Sequence, residues 1–180
     1  MKDIGITNFY YEHMHSLIEP LMTITKRGVR IDTELKKKAI KEYKEELEKL
    51  TLLLKEQVGH ELNPSSPKQM KEWLYNELKL PKKYNYKTKD KLTSGADALE
   101  ELLHKHNIPA LKTILGIREK RKILSTYLEV TYDKEKINGE TIEERARTAY
   151  LITGTETGRL SSRETVYGTG TNMQNIPKGI

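Results

Sequence analysis

The stretch from Thr33 to Val58 constrains the fold of this chain more than any other. Leu35, Ala39, Tyr43, Leu47, Leu50, Leu54 and Val58 recur at three- and four-residue steps, and charged residues fill most of the gaps. That period is the α-helix with a single apolar stripe. Asp32 or Thr33 can cap its start, and Gly59 sits just past its end. Glu34/Lys38 and Glu45/Lys49 are favourable i,i+4 pairs. At about 1.5 Å per residue the helix would reach nearly ~40 Å. A long arm with a narrow stripe suits a projecting helical hairpin better than a globular core helix, with a coiled-coil partner as the alternative.

Further helices flank it. Tyr10, His13, Met14, Leu17, Ile18, Leu21 and Ile24 predict one over 9–27, crossed by Pro20 and stopped by Gly28. An extended link, Gly28-Val-Arg-Ile-Asp32, follows. In Asn63-Pro-Ser-Ser-Pro-Lys-Gln-Met70, Ser66 is an N-cap, Pro67 suits the first helical position and Gln69 can complete a capping box. Met70, Trp73, Leu74 and Leu78 form the apolar face of that helix. Its free amides beside Ser65, Ser66 and Lys68 serve capping and could also hold a phosphate. Residues 79–93 carry Lys82, Lys83, Lys87, Lys89 and Lys91 without periodicity, a mobile or partner-bound loop. Ser94-Gly-Ala-Asp97 looks like another capping box, opening a helix to about His106. Pro109 opens a further helix to about Thr131, with Leu111, Leu115, Ile123, Leu124, Tyr127 and Leu128 on its apolar side. Arg118, Arg121 and Lys122 lie on its basic side.

The pattern then changes. Asn138-Gly139 is a hairpin-type turn, and Arg145 to Thr153 alternates as a strand does. The fold class is therefore mainly α with a small β portion (α+β), the helical part giving way to a β-rich body near 135–144.

Composition narrows the function. The 180 residues are 32% charged and 36% hydrophobic, with one Trp, one Phe and no Cys. Such a chain favours helical modules with small cores, excludes disulfides and thiolate metal sites, and fits a cytoplasmic setting. No apolar run approaches the roughly 20 residues of a membrane span, and the N-terminus lacks the apolar core of a signal peptide. A formal charge of +6 favours an anionic partner. His13/His15 and His104/His106 are spaced two apart, so they do not converge on a helix face. Phosphate-loop and nucleophile-elbow motifs are absent from the sequence. No acids are arranged to hold two divalent metals, so the chain is expected to lack a self-sufficient active site.

Two polar motifs near the C-terminus suggest nucleic-acid contact instead: Thr155-Glu-Thr-Gly-Arg-Leu-Ser-Ser162 and Asn172-Met-Gln-Asn-Ile-Pro177. Arg and Lys neutralise phosphates, and Asn, Gln and Arg reach base-edge acceptors. The minor groove presents acceptors at nearly the same places for every base pair, so it can be monitored without reading sequence. Arg159, Asn172, Gln174 and Asn175 fit that task, and Arg118 and Lys122 could face the same duplex.

At these residues the sequence resembles the family A (Pol I-like) DNA polymerases, especially phage-type members. Gly28-Val-Arg-Ile-Asp32 resembles the entry to the polymerase domain, Asn63 to Met70 the thumb signature, and Arg118 to Tyr127 the helix leading to the palm. Arg145-Ala-Arg-Thr148 and the two C-terminal motifs resemble the first palm strands and their DNA-contacting loops. The resemblance implies a tail of an exonuclease-like domain over 1–27 and thumb helices over 28–80. It implies a lysine-rich loop and helices over 81–135, and palm strands over 136–180. It implies that Arg159, Thr155, Thr157, Asn172, Gln174 and Asn175 meet primer-template DNA with Arg118 and Lys122, and that Ser65, Ser66 and Lys68 meet the backbone. It further implies that Mg2+ serves the complete polymerase but is not bound by this chain, and that a partner chain carries the remaining palm and fingers. A stand-alone DNA-binding or interaction protein, and a helical scaffold with no nucleic-acid role, are the alternatives.

Overall fold

The computed structural model describes residues 5–85, 91–137, 139, 141–166 and 168–176. Lys87, Lys89, Asn138 and Pro177, singled out above, lie outside the described residues. The chain divides into two compact units, residues 1–38 with 126–180, and residues 39–125. The junction expected near 135–144 falls within the first of these.

The helical unit is built from most of α2 (Thr33–Val58), α3 (Pro67–Glu72), α4 (Ala96–His106) and α5 (Pro109–Ile123). A π-helical turn, Trp73–Glu77, continues α3. The expected start of α2 holds, because the Asp32 carboxylate accepts from the amides of Glu34 at 3.1 Å and Leu35 at 3.0 Å. On its surface Glu34 pairs with Lys37 and Glu45 with Lys41. From Ala39 onward the stripe packs into the unit, with Leu54 fully buried and Leu47, Leu50 and Val58 against the core. Leu35, expected on that stripe, is exposed.

Met70, Trp73 and Leu74 meet Leu99, Leu102, Leu111, Ile114 and Ile117 in one cluster, each large side chain contributing roughly 1.5–3 kcal/mol by leaving water. Leu78, assigned to the same face, is 38% exposed. The flanks of the lysine-rich segment pair with each other and with α4. Tyr84 bridges Leu92, the Asn85 amide donates to Lys91 O at 2.8 Å, and Lys83 pairs with Glu101. Lys105 and Lys83 together hold the Glu101 carboxyl at about 2, well below the usual carboxylate range. The start of α4 corrects the expected capping box: Gly95 is the N-cap, with no side-chain cap. Asn107 ends the helix in the left-handed region.

The second unit carries a π-helical stretch (Phe9–Met14) running into α1 (His15–Arg27) and a three-stranded antiparallel sheet. A two-stranded sheet completes it. The helix continues through Pro20 and stops at Gly28, whose φ is +60°. A Cβ there would stand 2.9 Å from Ala146 O, so the stop and the close approach both require glycine. β1 (Val29–Arg30) pairs with β3 (Thr141–Ala146), and β3 pairs with β2 (Asp133–Ile137). β4 (Ala149–Leu151) pairs with β5 (Ser161–Arg163). The single strand expected over 145–153 is thus two strands in two sheets, broken at Arg147–Thr148. The helix opened by Pro109 ends as a π-helical turn at Leu128, short of Thr131.

Among the described residues apolar burial here is sparse: Leu128, Tyr132 and Ala146 are the buried apolar ones. Polar contacts hold much of the unit together. Lys36 Nζ donates to Val130 O at 2.9 Å and lies 4.6 Å from the Tyr132 ring centroid.

Candidate nucleic-acid interface

In the β-bearing unit, the two C-terminal motifs are joined by a side-chain bond from Ser162 to Asn172 and by a bond from the Gln174 side chain to the Leu160 carbonyl. The first motif occupies the loop between β4 and β5. Thr155 Oγ1 donates to Arg159 O at 2.8 Å, and the Gly158 amide donates to Thr155 O at 3.3 Å, closing the loop on itself. Thr157 Oγ1 lies 3.5 Å from Thr155 Oγ1. A Cβ at Gly154 would lie 1.9 Å from Ser161 Oγ, which would have to rotate away, and 3.1 Å from the Cβ atoms of Ser161 and Leu151. The second motif forms a 3-10 turn, Met173–Asn175, capped by Asn172. Asn172 Oδ1 accepts from Ser162 Oγ at 2.5 Å and from the Gln174 amide at 3.0 Å. Gln174 Nε2 donates to Leu160 O at 3.1 Å, and Tyr127 OH donates to Asn175 O at 2.7 Å.

These bonds redistribute the roles expected of the residues. Asn172 Oδ1 is committed internally, and its amide nitrogen keeps two donors. Gln174 uses one amide proton to pin the first motif. Arg159 is exposed, and among the described residues its guanidinium has no hydrogen-bond or ion-pair partner. An unpaired, outward cation on a closed loop is suited to an anionic partner.

Arg145 and Arg147, in the stretch that resembles the first palm strands, are spent within the unit. Arg147 donates to Lys26 O, Asp133 and Glu135, and Arg145 donates to Arg27 O and Glu143. Both guanidinium groups thereby cap the last carbonyls of α1, where a cation also suits the helix dipole.

In the helical unit the Asn63–Met70 motif is a hydrogen-bonded turn leading into α3. Ser66 Oγ accepts from the Gln69 amide at 3.4 Å, as a capping box requires. Gln69 Oε1 reaches the Asn63 amide at 2.8 Å rather than that of Ser66. Two arginines of α5 clamp this turn. Arg118 Nε donates to Pro64 O at 2.8 Å and its Nη1 to Ser94 O at 2.5 Å. Burial lowers the Arg118 pKa, and the two carbonyls offset part of that desolvation. Arg121 Nη1 donates to Ser65 Oγ at 2.8 Å and Asn63 Oδ1 at 3.2 Å. Lys68 and Lys122 are exposed and, among the described residues, unpaired. Of the helix cations named from the sequence, Lys122 therefore points outward and Arg118 inward. Ser162, Tyr127 and Arg121 were not among the expected contacts. Their partners lie 10, 48 and 56 residues away, beyond the reach of local pattern.

No helix among the described residues is long and apolar enough to cross a membrane.

The sequence pattern of DNA polymerase family A matches residues 33–179. The chain is 36% identical to "DNA polymerase I" of Caldicellulosiruptor bescii over 97% of its length, and 35% identical to that of Helicobacter pylori over 87%. It spans 19% and 16% of those two relatives. Among solved structures, the POL domain of Pol1 from M. smegmatis, in complex with DNA primer-template and dNTP, matches 89% of the chain with a TM-score of 0.68 and 28% identity. The match covers 26% of that chain.

Proposed function

Because the chain belongs to DNA polymerase family A, we propose that it is the primer-template grip of such a polymerase, binding duplex DNA during replication while the chemistry is carried elsewhere. The observation that carries this reading is the unpaired Arg159, displayed on a loop pinned through Gln174 and Leu160 to the Asn172–Asn175 turn. Arg159 and Gln174 would donate to the acceptors common to all base pairs in the minor groove. Lys122 and Lys68 would neutralise phosphates, and the Ser65 and Ser66 hydroxyls would donate to the backbone. Such contacts follow duplex shape and are indifferent to sequence.

Among the described residues no three His, Asp or Glu side chains could hold a metal ion. The described residues do not fit Mg2+, so in this reading the metal site of the complete polymerase would be formed by the remaining palm and fingers, on a partner chain. The phage-type character and cytoplasmic setting belong to the same proposal.

Anisotropy titrations with a primer-template duplex test it. Binding is expected to weaken linearly in log affinity against log salt, and Arg159→Ala is expected to weaken it several-fold. The chain alone should not extend a primer, whereas adding the candidate catalytic half with Mg2+ should produce extension. Salt-independent binding, or an unaltered affinity for Arg159→Ala, would remove the DNA-contact assignment. Extension by the pure chain would remove the division of labour.

A further inference from the structure

Several cations of the helical unit are already answered by acids. Lys120 pairs with Glu46, Lys55 with Glu61 at 3.0 Å, and both Lys83 and Lys105 with Glu101. Arg118 is turned onto two carbonyls. Arg121 differs from all of these. Its guanidinium is fixed, but by neutral oxygens, Ser65 Oγ and Asn63 Oδ1. Among the described residues no carboxylate pairs with it. Both bonds use Nη1, so among the described residues the Nε and Nη2 protons remain for another acceptor. The side chain forms one wall of an open groove shared with Thr51, Lys55, Asn63 and Gln69. The acid in that groove, Glu61, is engaged by Lys55.

A guanidinium already held in place loses little freedom on binding, and its fork matches two oxygens of a phosphate. Ser65 adds to the match. Its oxygen accepts from Arg121, which leaves the hydroxyl proton to donate. We propose that Arg121 and the Ser65 hydroxyl form a seat for one phosphodiester of a bound nucleic-acid strand on the helical unit. The proposal rests on the duplex-binding reading above and adds to it a contact residue and the strand chemistry it takes.

The test is the salt slope of primer-template binding by the full chain, compared among wild type, Arg121→Gln and Arg121→Lys. Trp73 fluorescence serves as the folding control. Glutamine can still donate to Ser65 and Asn63 but carries no charge. Arg121→Gln is expected to flatten the slope by about 0.9, one phosphate's worth of released counterion. Arg121→Lys should keep the wild-type slope with weaker binding. An unchanged slope for folded Arg121→Gln, whether its affinity is retained or lost, would overturn the seat and leave Arg121 as a prop for the turn. Wild-type chain with no salt-dependent binding would overturn the duplex-binding reading and the seat with it.

Discussion

Arg147→Met is expected to destabilise the β-bearing unit by about 2–4 kcal/mol, less than the roughly 3–5 kcal/mol for removing one partner of a fully buried ion pair because Glu135 is half-exposed. The reason lies in the register of the hairpin. Glu135 and Glu143 stand directly opposite each other on β2 and β3, a like-charge pair that would repel. Arg147 Nη2 meets Glu135 at 2.7 Å and Arg145 Nη2 meets Glu143 at 2.8 Å, with Arg145 Nε also 3.5 Å from Glu135 and Arg30 Nη1 3.8 Å from Glu143, so guanidinium groups offset the charge of both acids. Arg147 also binds Asp133 at 3.1 Å and the Lys26 carbonyl at the end of α1 at 3.0 Å. Its side chain is only 18% exposed, which limits screening by water. Methionine keeps much of the stem but leaves two carboxylates and a helix-end carbonyl without this partner. Amide exchange across β2 and β3 measures the loss. Trp73, the single tryptophan, lies in the core of the other unit and reports on that unit by itself. Unaltered protection of the β2–β3 amides in the variant would show that the arginine network is not what holds the hairpin.

That network also marks where the sequence stopped being informative. Helices were legible because their causes are local. The stripe of α2, the Asp32 cap and the Gly28 stop all act within a few residues. Nothing local shows that Arg145 and Arg147 are tied down, because the carbonyls they cap lie 118 and 121 residues away. The alternation over 145–153 likewise continues through the break at Arg147–Thr148, so periodicity could not reveal that the chain changes sheets there.

The candidate site divides in the same way. Its residue types were visible as two polar, glycine-flanked motifs. Which side chains face outward was not, because it depends on partners across the fold. Asn172 and Gln174 read as groove contacts, yet each first serves to join the two motifs. Arg118 and Arg121, three residues apart on α5, read as one basic side. One is turned onto the carbonyls of Pro64 and Ser94, while the other keeps donors in an open groove. Only packing separates them.

Gly170→Ala is expected to cost the β-bearing unit about 2–5 kcal/mol, and Gly168→Ala only about 1–2 kcal/mol. Both glycines have positive φ, +83° and +69°, and an alanine in that region costs about 1–2 kcal/mol by itself. They differ in what a methyl group would meet. Nothing lies within 4 Å of a Cβ at Gly168, whereas at Gly170 it would stand 1.8 Å from Arg147 O and 2.8 Å from Arg147 C. Those are backbone atoms and cannot rotate aside, so overpacking adds a further cost of about 1–3 kcal/mol. Relief requires moving residue 170 away from Arg147, which strains the bond from the Thr171 amide to Arg147 O at 3.3 Å. The next residue is Asn172, which ties the 3-10 turn to Ser162. Displacing it would loosen the link between the two motifs and so the setting of Arg159. Primer-template affinity, measured at a temperature where both variants are folded, should therefore fall for Gly170→Ala and hold for Gly168→Ala. Thermal denaturation of the pair gives the stability difference directly. Equal shifts in the two variants would mean that the loop can move off Arg147 freely, and that the motif geometry does not depend on this contact.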